Sequence, residues 1–370
     1  MAEKSVSTDS LAIEIAKEYK GRKFRVAFVG CGGISHTHAV ALAKMPDVEI
    51  VAGVDVDKDR LKVFGDRWGV TKLYKDWKTM LKEVRPDGVS VCTPNGVHAA
   101  PSIDASNAGC HVIVEKPMAM NPGECEKMIA AAKKAKKKLV IGFQYRYHPN
   151  TQFLKRARDN GEFGDIMFVK CQALRRRGIP NWGVFGQKKL QGGGPMIDIG
   201  VHIMEMAHYV MGSPKPVAAT GNIWTYMGDK PSKVVSPWPH WDYKTYTVED
   251  LAIGHIRFDN GAILQVEASF VAHIEKDVWN FSIMGSKGGA QWDPPMLFAD
   301  KNDTMVNCAP NFLGSDMSFD ALFYAKLRNW IDAATKNVPL DAPGEAGLAI
   351  QKMIDGVYRS AAAGKEVIIK

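Results

Sequence analysis

Three hundred and seventy residues are more than one compact domain usually holds and point to two or three. Hydrophobic residues make up 46% and charged residues 24%, a balance that excludes a disordered chain, a collagen-like fibre and a coiled-coil rod. Lys and Arg number 48 against 40 Asp and Glu, and the resulting formal charge of +8 suits nucleic acid, an acidic membrane or an anionic small molecule alike.

The chain opens Met1-Ala2-Glu3-Lys4-Ser5 with no apolar run behind it. Residues 5–20 predict a short amphipathic helix, with Leu11, Ile13, Ile15 and Ala16 among polar neighbours, packed on the surface or on a partner subunit. No stretch approaches the roughly 18 apolar residues of a membrane span; the most apolar one, Ile197 to Met211, is broken by Asp198, His202, Glu205 and His208. The six cysteines (31, 92, 110, 125, 171, 308) form no CxxC pair and read as reduced thiols. The expectation is a soluble, cytoplasmic protein without a zinc cluster.

From Phe24 the pattern changes. FRVAFVG (24–30), VEIVAGVD (48–55), GVSVCT (88–93), HVIVE (111–115) and LVIGF (139–143) are short, nearly continuous apolar runs, as in strands buried on both faces. Helical patterns at 33–45, 58–68, 76–84, 99–108 and 122–137 separate them, and such alternation predicts a doubly wound parallel α/β sheet over residues 1–147, with 1–20 as an extension. The five lysines within 133–138 end a predicted helix, where a solvated face complementing the helix dipole outweighs a nucleic-acid patch. After Pro149 come a helix (150–159), a long strand (165–177), a glycine-rich loop and an apolar helix (195–211). Strands without intervening helices follow at 217–226, 251–259, 262–270 and 279–286, the middle pair joined by the hairpin signal Asn260-Gly261. Helices at 317–334 and 344–361 close a second, antiparallel α+β domain, 148–370.

Gly30-Cys31-Gly32-Gly33-Ile34-Ser35 leaves the first strand and opens a helix. Gly30 permits the tight turn, Gly32 lets backbone N–H groups approach a pyrophosphate, and the helix N-terminus adds partial positive charge. Asp55 ends the second strand, where a carboxylate accepts from both ribose hydroxyls and repels a 2′-phosphate. NAD is therefore expected, with NADP left open by the nearby Lys58 and Arg60. The alternative is a glycine turn beside a surface aspartate. Thr93, Asn95 and His98 follow the next predicted strand, and Glu115-Lys116-Pro117 the one after, all where ligands bind in such sheets. Lys116 could also be a snorkelling surface residue.

In the second half Gly192-Gly193-Gly194-Pro195 leads into Asp198 and His202. A spacing of four puts carboxylate and imidazole on one helix face. An acid that orients a histidine, with a lysine to assist, is equipment for removing an alcohol proton. The alternatives are a histidine in a helix-packing contact, or a metal site completed by Glu205 or His208; hydride transfer to NAD needs no metal, and none is expected.

These motifs together resemble the Gfo/Idh/MocA oxidoreductases, relatives of glucose–fructose oxidoreductase and inositol dehydrogenase. The likeness runs from Phe24 to Lys370 through GCGGIS (30–35), TPNGVH (93–98), EKPMAM (115–120), GFQYRYHP (142–149), GGGPMIDIGVH (192–202) and RSAAAGKEVII (359–369). It implies a Rossmann domain and then an open, mainly antiparallel sheet with helices on one face, whose outer face makes a homodimer or homotetramer. It places Lys116, Asp198 and His202 on the family's catalytic positions. The cofactor would be held by Gly30, Gly32, Gly33, Ile34, Asp55, Thr93, Asn95, His98, Glu115, Lys116, Arg146 and Trp182. Tyr147 and Arg176 would join Lys116, Asp198 and His202 at the substrate, with Arg175 a further candidate. Two departures stand out: Ser35 in the glycine fingerprint, and Tyr145-Arg146-Tyr147 where relatives often carry paired arginines.

The expected reaction is reversible oxidation of a secondary hydroxyl on a sugar, glycoside or cyclic polyol, with neither nucleic acid nor membrane as partner. One rival is a glycoside-cleaving enzyme that oxidises transiently and eliminates; a second is a non-catalytic NAD-binding sensor, against which Lys116, Asp198 and His202 together argue.

Overall fold

The computed structural model describes residues 20–314 and 316–370; the helix expected over 5–20 lies, but for its last residue, outside them. The chain forms two compact units. The first runs to Ala119 and adds Gly123–Gln144 and Met317–Glu345. The second takes Met120–Pro122, Tyr145–Asp316 and Ala346–Lys370.

The first unit is built on a six-stranded sheet of β1 (Phe24–Val29), β2 (Val48–Val54), β3 (Leu73–Tyr74), β4 (Gly88–Val91), β5 (His111–Val114) and β6 (Leu139–Ile141). Every pair is parallel, in the order β3-β2-β1-β4-β5-β6. Helices α1 (Gly33–Ala43), α2 (Lys58–Trp68), α3 (Trp77–Val84), α4 (Ala99–Asn107) and α5 (Pro122–Ala135) make the crossovers. The reversal of strand order between β1 and β4 places a ligand crevice at their carboxyl ends. The strands there read as uninterrupted apolar runs because both faces are covered: all four residues of β4 and all three of β6 are buried.

The second unit begins with α6 (Pro149–Asp159) and contains a nine-stranded sheet. Its strands are β7 (Ile166–Leu174), β8 (Pro216–Trp224), β9 (Leu251–Phe258), β10 (Ile263–Ser269), β11 (Val278–Gly285), β12 (Gly288–Gln291), β13 (Met296–Lys301), β14 (Thr304–Cys308) and β15 (Val367–Ile368). All neighbours pair antiparallel except β7 and β10 at the centre. One face carries Val169, Cys171, Leu264 and Val266, all fully buried, under the apolar stretch of a short π-helix (Met196–Gly200) running into α8 (Val201–Val210), with α7 (Lys188–Gln191) before it. The other face is polar, with Lys170 and Gln172 both reaching Glu267.

Where one break was expected at 147/148, the chain changes unit at Gln144/Tyr145 and at four other places, 119/120, 122/123, 316/317 and 345/346. Helix α9 (Phe319–Lys336) belongs to the first unit, and most of α10 (Gly344–Ala363) to the second. The apolar stripe of α9 explains its place: Leu327 and Trp330 are fully buried, and Trp330 meets Phe24 edge-on at 5.9 Å. A Cβ on Gly88 would lie 2.7 Å from the Trp330 ring, so the strand passes the indole only as glycine. Strands β3 and β12 to β15 were not expected. They are short, glycine-bearing or exposed, and show no two-residue alternation. Among the described residues no helix is long and apolar enough to cross a membrane.

Candidate active site

In the first unit the glycine loop leaves β1 as the spacing predicts. Gly30 has φ +92°, and a Cβ there would stand 2.6 Å from the Cys92 carbonyl carbon at the end of β4. Only glycine lets the turn pass so close. Gly32 and Ile34 are half-exposed and Gly33 is exposed, with nothing within 4 Å of a Cβ on Gly33. Helix α1 starts at Gly33 with no side-chain cap and no acidic residue in its first turn, so its leading amides face the loop uncapped, as an anion site requires. Ser35 is fully buried and its hydroxyl donates to the Gly32 carbonyl at 2.6 Å; the departure from glycine costs no space because the side chain folds onto its own turn.

Asp55 follows β2 and braces the same loop: one carboxylate oxygen accepts from Cys31 N–H at 2.8 Å, the other from Asp57 N–H at 3.0 Å. A carboxylate offers about four lone-pair sites, so acceptor capacity is left for ribose hydroxyls. The Arg60 guanidinium lies 3.8 Å from the Cβ position of Gly32. Glycine cradle, uncapped helix and acid at the next strand end fit a dinucleotide.

The residues after β4 and β5 divide. Thr93 is half-buried, Asn95 is 7% exposed and Lys116 is half-exposed, all in the segments beyond the strands. His98 is instead a strut. It is 1% exposed, with Nδ1 at 2.8 Å from the Pro117 carbonyl and Nε2 at 2.9 Å from that of Thr93, so whichever nitrogen carries the proton donates to one of the two loops. The ring expected at the cofactor thus lies between the two loops, and burial lowers its pKa.

Glu115 is likewise turned inward. Its Oε1 accepts from Lys326 Nζ of α9 at 2.5 Å and lies 2.9 Å from His38 Nε2, while His38 Nδ1 lies 2.9 Å from the Ser90 hydroxyl. Burial would raise the carboxyl, but the Lys326 charge and the bonds from His38 and Lys326 outweigh it and hold Glu115 well below 4.5. Burial pushes His38 down to about 4 and lowers Lys326. An ionised Glu115 then accepts from a neutral His38 protonated on Nε2, whose Nδ1 accepts from Ser90. Glu115, expected at the cofactor, thus engages its side chain in a buried ion pair, one residue before Lys116.

In the second unit Asp198 and His202 are 6% and 9% exposed, on the π-helical turn and the first turn of α8. The Tyr145 ring meets the His202 imidazole edge-on at 5.2 Å, and Trp279 of β11 lies 6.3 Å from it. The charge of Asp198 acts on Arg175, whose guanidinium burial pushes down from its ordinary value. Tyr147, two residues beyond Tyr145, is half-buried. Arg146, expected at the cofactor, is 2% exposed, ion-paired to Glu205 and stacked at 4.5 Å over the Tyr209 ring. A guanidinium so enclosed pins the 145–147 turn to α8. His208, the other residue considered beside Glu205, places Nε2 at 2.8 Å from the Pro214 carbonyl.

The glycines before Pro195 serve packing. Glu249 accepts from Gly194 N–H at 2.8 Å and from the Tyr358 hydroxyl at 2.8 Å. Cβ atoms on Gly193 and Gly194 would fall 2.0 Å from that hydroxyl and 1.9 Å from the Glu249 carbonyl oxygen. Glu249 thus holds the entrance to the Asp198 helix and was not anticipated. Lys326 and Trp279 were missed as well. The only signal for Lys326 is a lysine on the stripe Phe323, Leu327, Trp330; Trp279 merely leads a strand. Beyond β7, Arg176 donates Nη1 to the Glu275 carbonyl, and Trp182 stacks on Trp238 at 5.7 Å.

Residues 24–143 match the oxidoreductase family with the NAD-binding Rossmann fold, and residues 151–291 the Gfo/Idh/MocA C-terminal domain. The D-glucoside 3-dehydrogenase of Escherichia coli (strain K12) is 35% identical over 93% of this chain and 97% of its own length. The myo-inositol 2-dehydrogenase of Thermotoga maritima is 31% identical over 54% of this chain and 58% of its own. The solved levoglucosan dehydrogenase in complex with NADH shares the fold, with a TM-score of 0.82 at 21% identity over 94% of this chain and 100% of that one. The chain belongs to the Gfo/Idh/MocA oxidoreductase family, and its first unit carries that family's NAD-binding Rossmann fold.

Proposed function

We propose that this protein is an NAD-dependent dehydrogenase that reversibly oxidises a secondary hydroxyl of a sugar, glycoside or cyclic polyol, with glucosides the first class to try. The observation that carries the reading is the setting of His202. A nearly buried imidazole is framed by Tyr145 and Trp279 on a helix shared with Asp198. Aromatic walls suit the C–H face of a sugar ring, and an imidazole screened from water is a base for its hydroxyl proton.

The Gly30–Ile34 loop and the first amides of α1 would hold the pyrophosphate and Asp55 a ribose; Thr93, Asn95 and Trp182 remain candidates for further contact. Bound NAD supplies the acceptor for the hydride that leaves the substrate carbon. His202 takes the hydroxyl proton, Asp198 orients the imidazole, and the Lys116 ammonium stabilises the developing alkoxide. Tyr147 and Arg176 bind substrate. In the reverse direction the His202 imidazolium returns the proton.

Arg60 beside Gly32 supports some tolerance of NADP. The protein is read as cytoplasmic, with the polar outer face of the second sheet, where Met284 and Met305 are exposed, as the surface of a homodimer or homotetramer. The test is a screen of methyl and aryl glucosides, free sugars and inositols with NAD and NADP, followed in the reduced-nicotinamide band. Lys116→Ala should lower kcat by about 10²-fold or more and leave NAD affinity nearly unchanged; equal losses in both would make Lys116 a cofactor ligand only. Sugar release without net NADH would move the assignment to glycoside cleavage.

A further inference from the structure

The 225–250 connection between β8 and β9 is long but built. Asp250 accepts from the N–H groups of Tyr226, Met227 and Gly228 at 2.7–3.2 Å, and Trp241 Nε1 donates to the Gly228 carbonyl at 2.7 Å. Its far end brings Val234 to Trp238 against Arg176, Arg177, Lys276 and Asp277 around a cavity of about 380 Å³. Trp238 is its aromatic wall: Trp182 stacks on it at 13° between planes, and the Arg175 guanidinium lies 4.6 Å from its ring centroid.

Three features point to a ligand. First, apolar groups are left in solvent at its edge, Trp182 at 52%, Val234 at 48% and Val235 at 96% exposure, a clustered exposure that marks binding surface. Second, the lining carries three cations and one acid, and the arginines are fixed by neutral partners. Arg176 Nη1 donates to the Glu275 carbonyl, and Arg177 Nη1 to those of Arg176 and Ala272, while Asp277 accepts from the Arg176 backbone N–H. Among the described residues, Arg176, Arg177 and Lys276 form no ion pair. The guanidiniums are therefore oriented without being neutralised, as anion recognition requires. Third, Arg175 links the cavity to a residue assigned to chemistry: its guanidinium lies over the Trp238 and Phe270 rings, and the charge of Asp198 acts on it.

We infer that this cavity is a second subsite, taking an anionic group, carboxylate or phosphate, borne by the aglycone or neighbouring ring of a glycoside whose other ring is oxidised at His202. The inference rests on the dehydrogenase reading for the second ring, but the cavity's preference can be measured without turnover.

Three probes that differ in one substituent separate the two: phenyl, 4-carboxyphenyl and 4-phosphophenyl β-D-glucoside, titrated against tryptophan fluorescence in the presence of NAD and assayed in parallel for NADH. The expected result is tighter binding of at least one anionic probe, by roughly tenfold, over the neutral one, as a charge-assisted contact provides. The carboxylate and phosphate arms identify which anion fits. Lys276→Gln, an exposed position that leaves the core untouched, should cut the anionic-to-neutral ratio, and so should Trp238→Leu. Equal binding of all three, or a ratio that survives both substitutions, overturns the subsite. Anion-selective binding without NADH would sustain the subsite and count against the dehydrogenase reading; NADH from all three at equal kcat/KM would do the reverse.

Discussion

Replacing Lys326 by Met removes one member of a buried pair and leaves the other. Lys326 is 1% exposed and Glu115 6%, their charged atoms 2.5 Å apart, and the other bond to Glu115 Oε1 comes from a neutral imidazole at 2.9 Å. Losing one partner of such a pair costs about 3–5 kcal/mol, chiefly because a carboxylate stays buried without its countercharge. The surviving His38 bond places the expected loss near the lower end, about 3 kcal/mol. In the native protein the folded pKa of Glu115 is depressed, so its contribution is present above pH 4.5 and is lost as pH falls through the folded value. In Lys326→Met the His38 bond alone opposes burial, which raises that carboxyl, so the deficit should be largest at pH 7–8 and shrink toward pH 5 as Glu115 takes up a proton. Denaturant melts at several pH values measure both features, and Glu115→Gln in the Lys326→Met background should recover part of the loss. A variant as stable as the native protein at pH 7, or a deficit that does not change with pH, would refute the assignment of an ionised pair.

Gly30→Ala should abolish measurable NAD binding or destabilise the first unit, because its Cβ has no room beside Cys92 and φ +92° is strained for alanine; calorimetric titration with NAD and a melt decide, and near-native values in both would contradict the turn. Asp55→Asn should weaken NAD binding by about tenfold and narrow the gap to NADP, read from the two dissociation constants; a variant with the native preference would remove Asp55 from the ribose. His38 and His208 are held near 4 by burial, so an unfolded chain takes up protons first and stability should fall as pH drops from 6.5 toward 4; melts flat across that window would contradict two neutral buried imidazoles. Glu205→Leu strands the Arg146 guanidinium and should cost about 3–5 kcal/mol; an unchanged melting temperature would mean that the pair is not formed in solution.

Most of the first sheet was legible because a strand buried on both faces leaves a continuous apolar run, and a glycine loop between strand and helix has few other uses. The inward turn of His98, Glu115 and Arg146 was not legible: they are polar residues next to motifs, and linear order does not say which way a side chain turns. His98 and Glu115 answer to partners up to 211 residues away, and Arg146 to Glu205 on a helix 59 residues on. The place of α9 was hidden for the same reason, since its apolar stripe shows that it packs but not against which sheet. The GGGP segment was read as a prelude to chemistry and is instead a set of close approaches to Tyr358 and Glu249. Asp198 and His202 could be paired by spacing, but Tyr145, Trp279 and Arg175 gather around them through tertiary contact alone.

The central claim is hydride transfer from a secondary hydroxyl with His202 as base. The most direct measurement is the pH profile of NADH formation from a methyl glucoside by the native protein and by His202→Gln. The account predicts turnover that rises with pH in the native protein, as a base that must be neutral requires, and a loss of about 10²-fold or more with that rise removed in the variant. A variant that keeps native turnover and the same profile would contradict it.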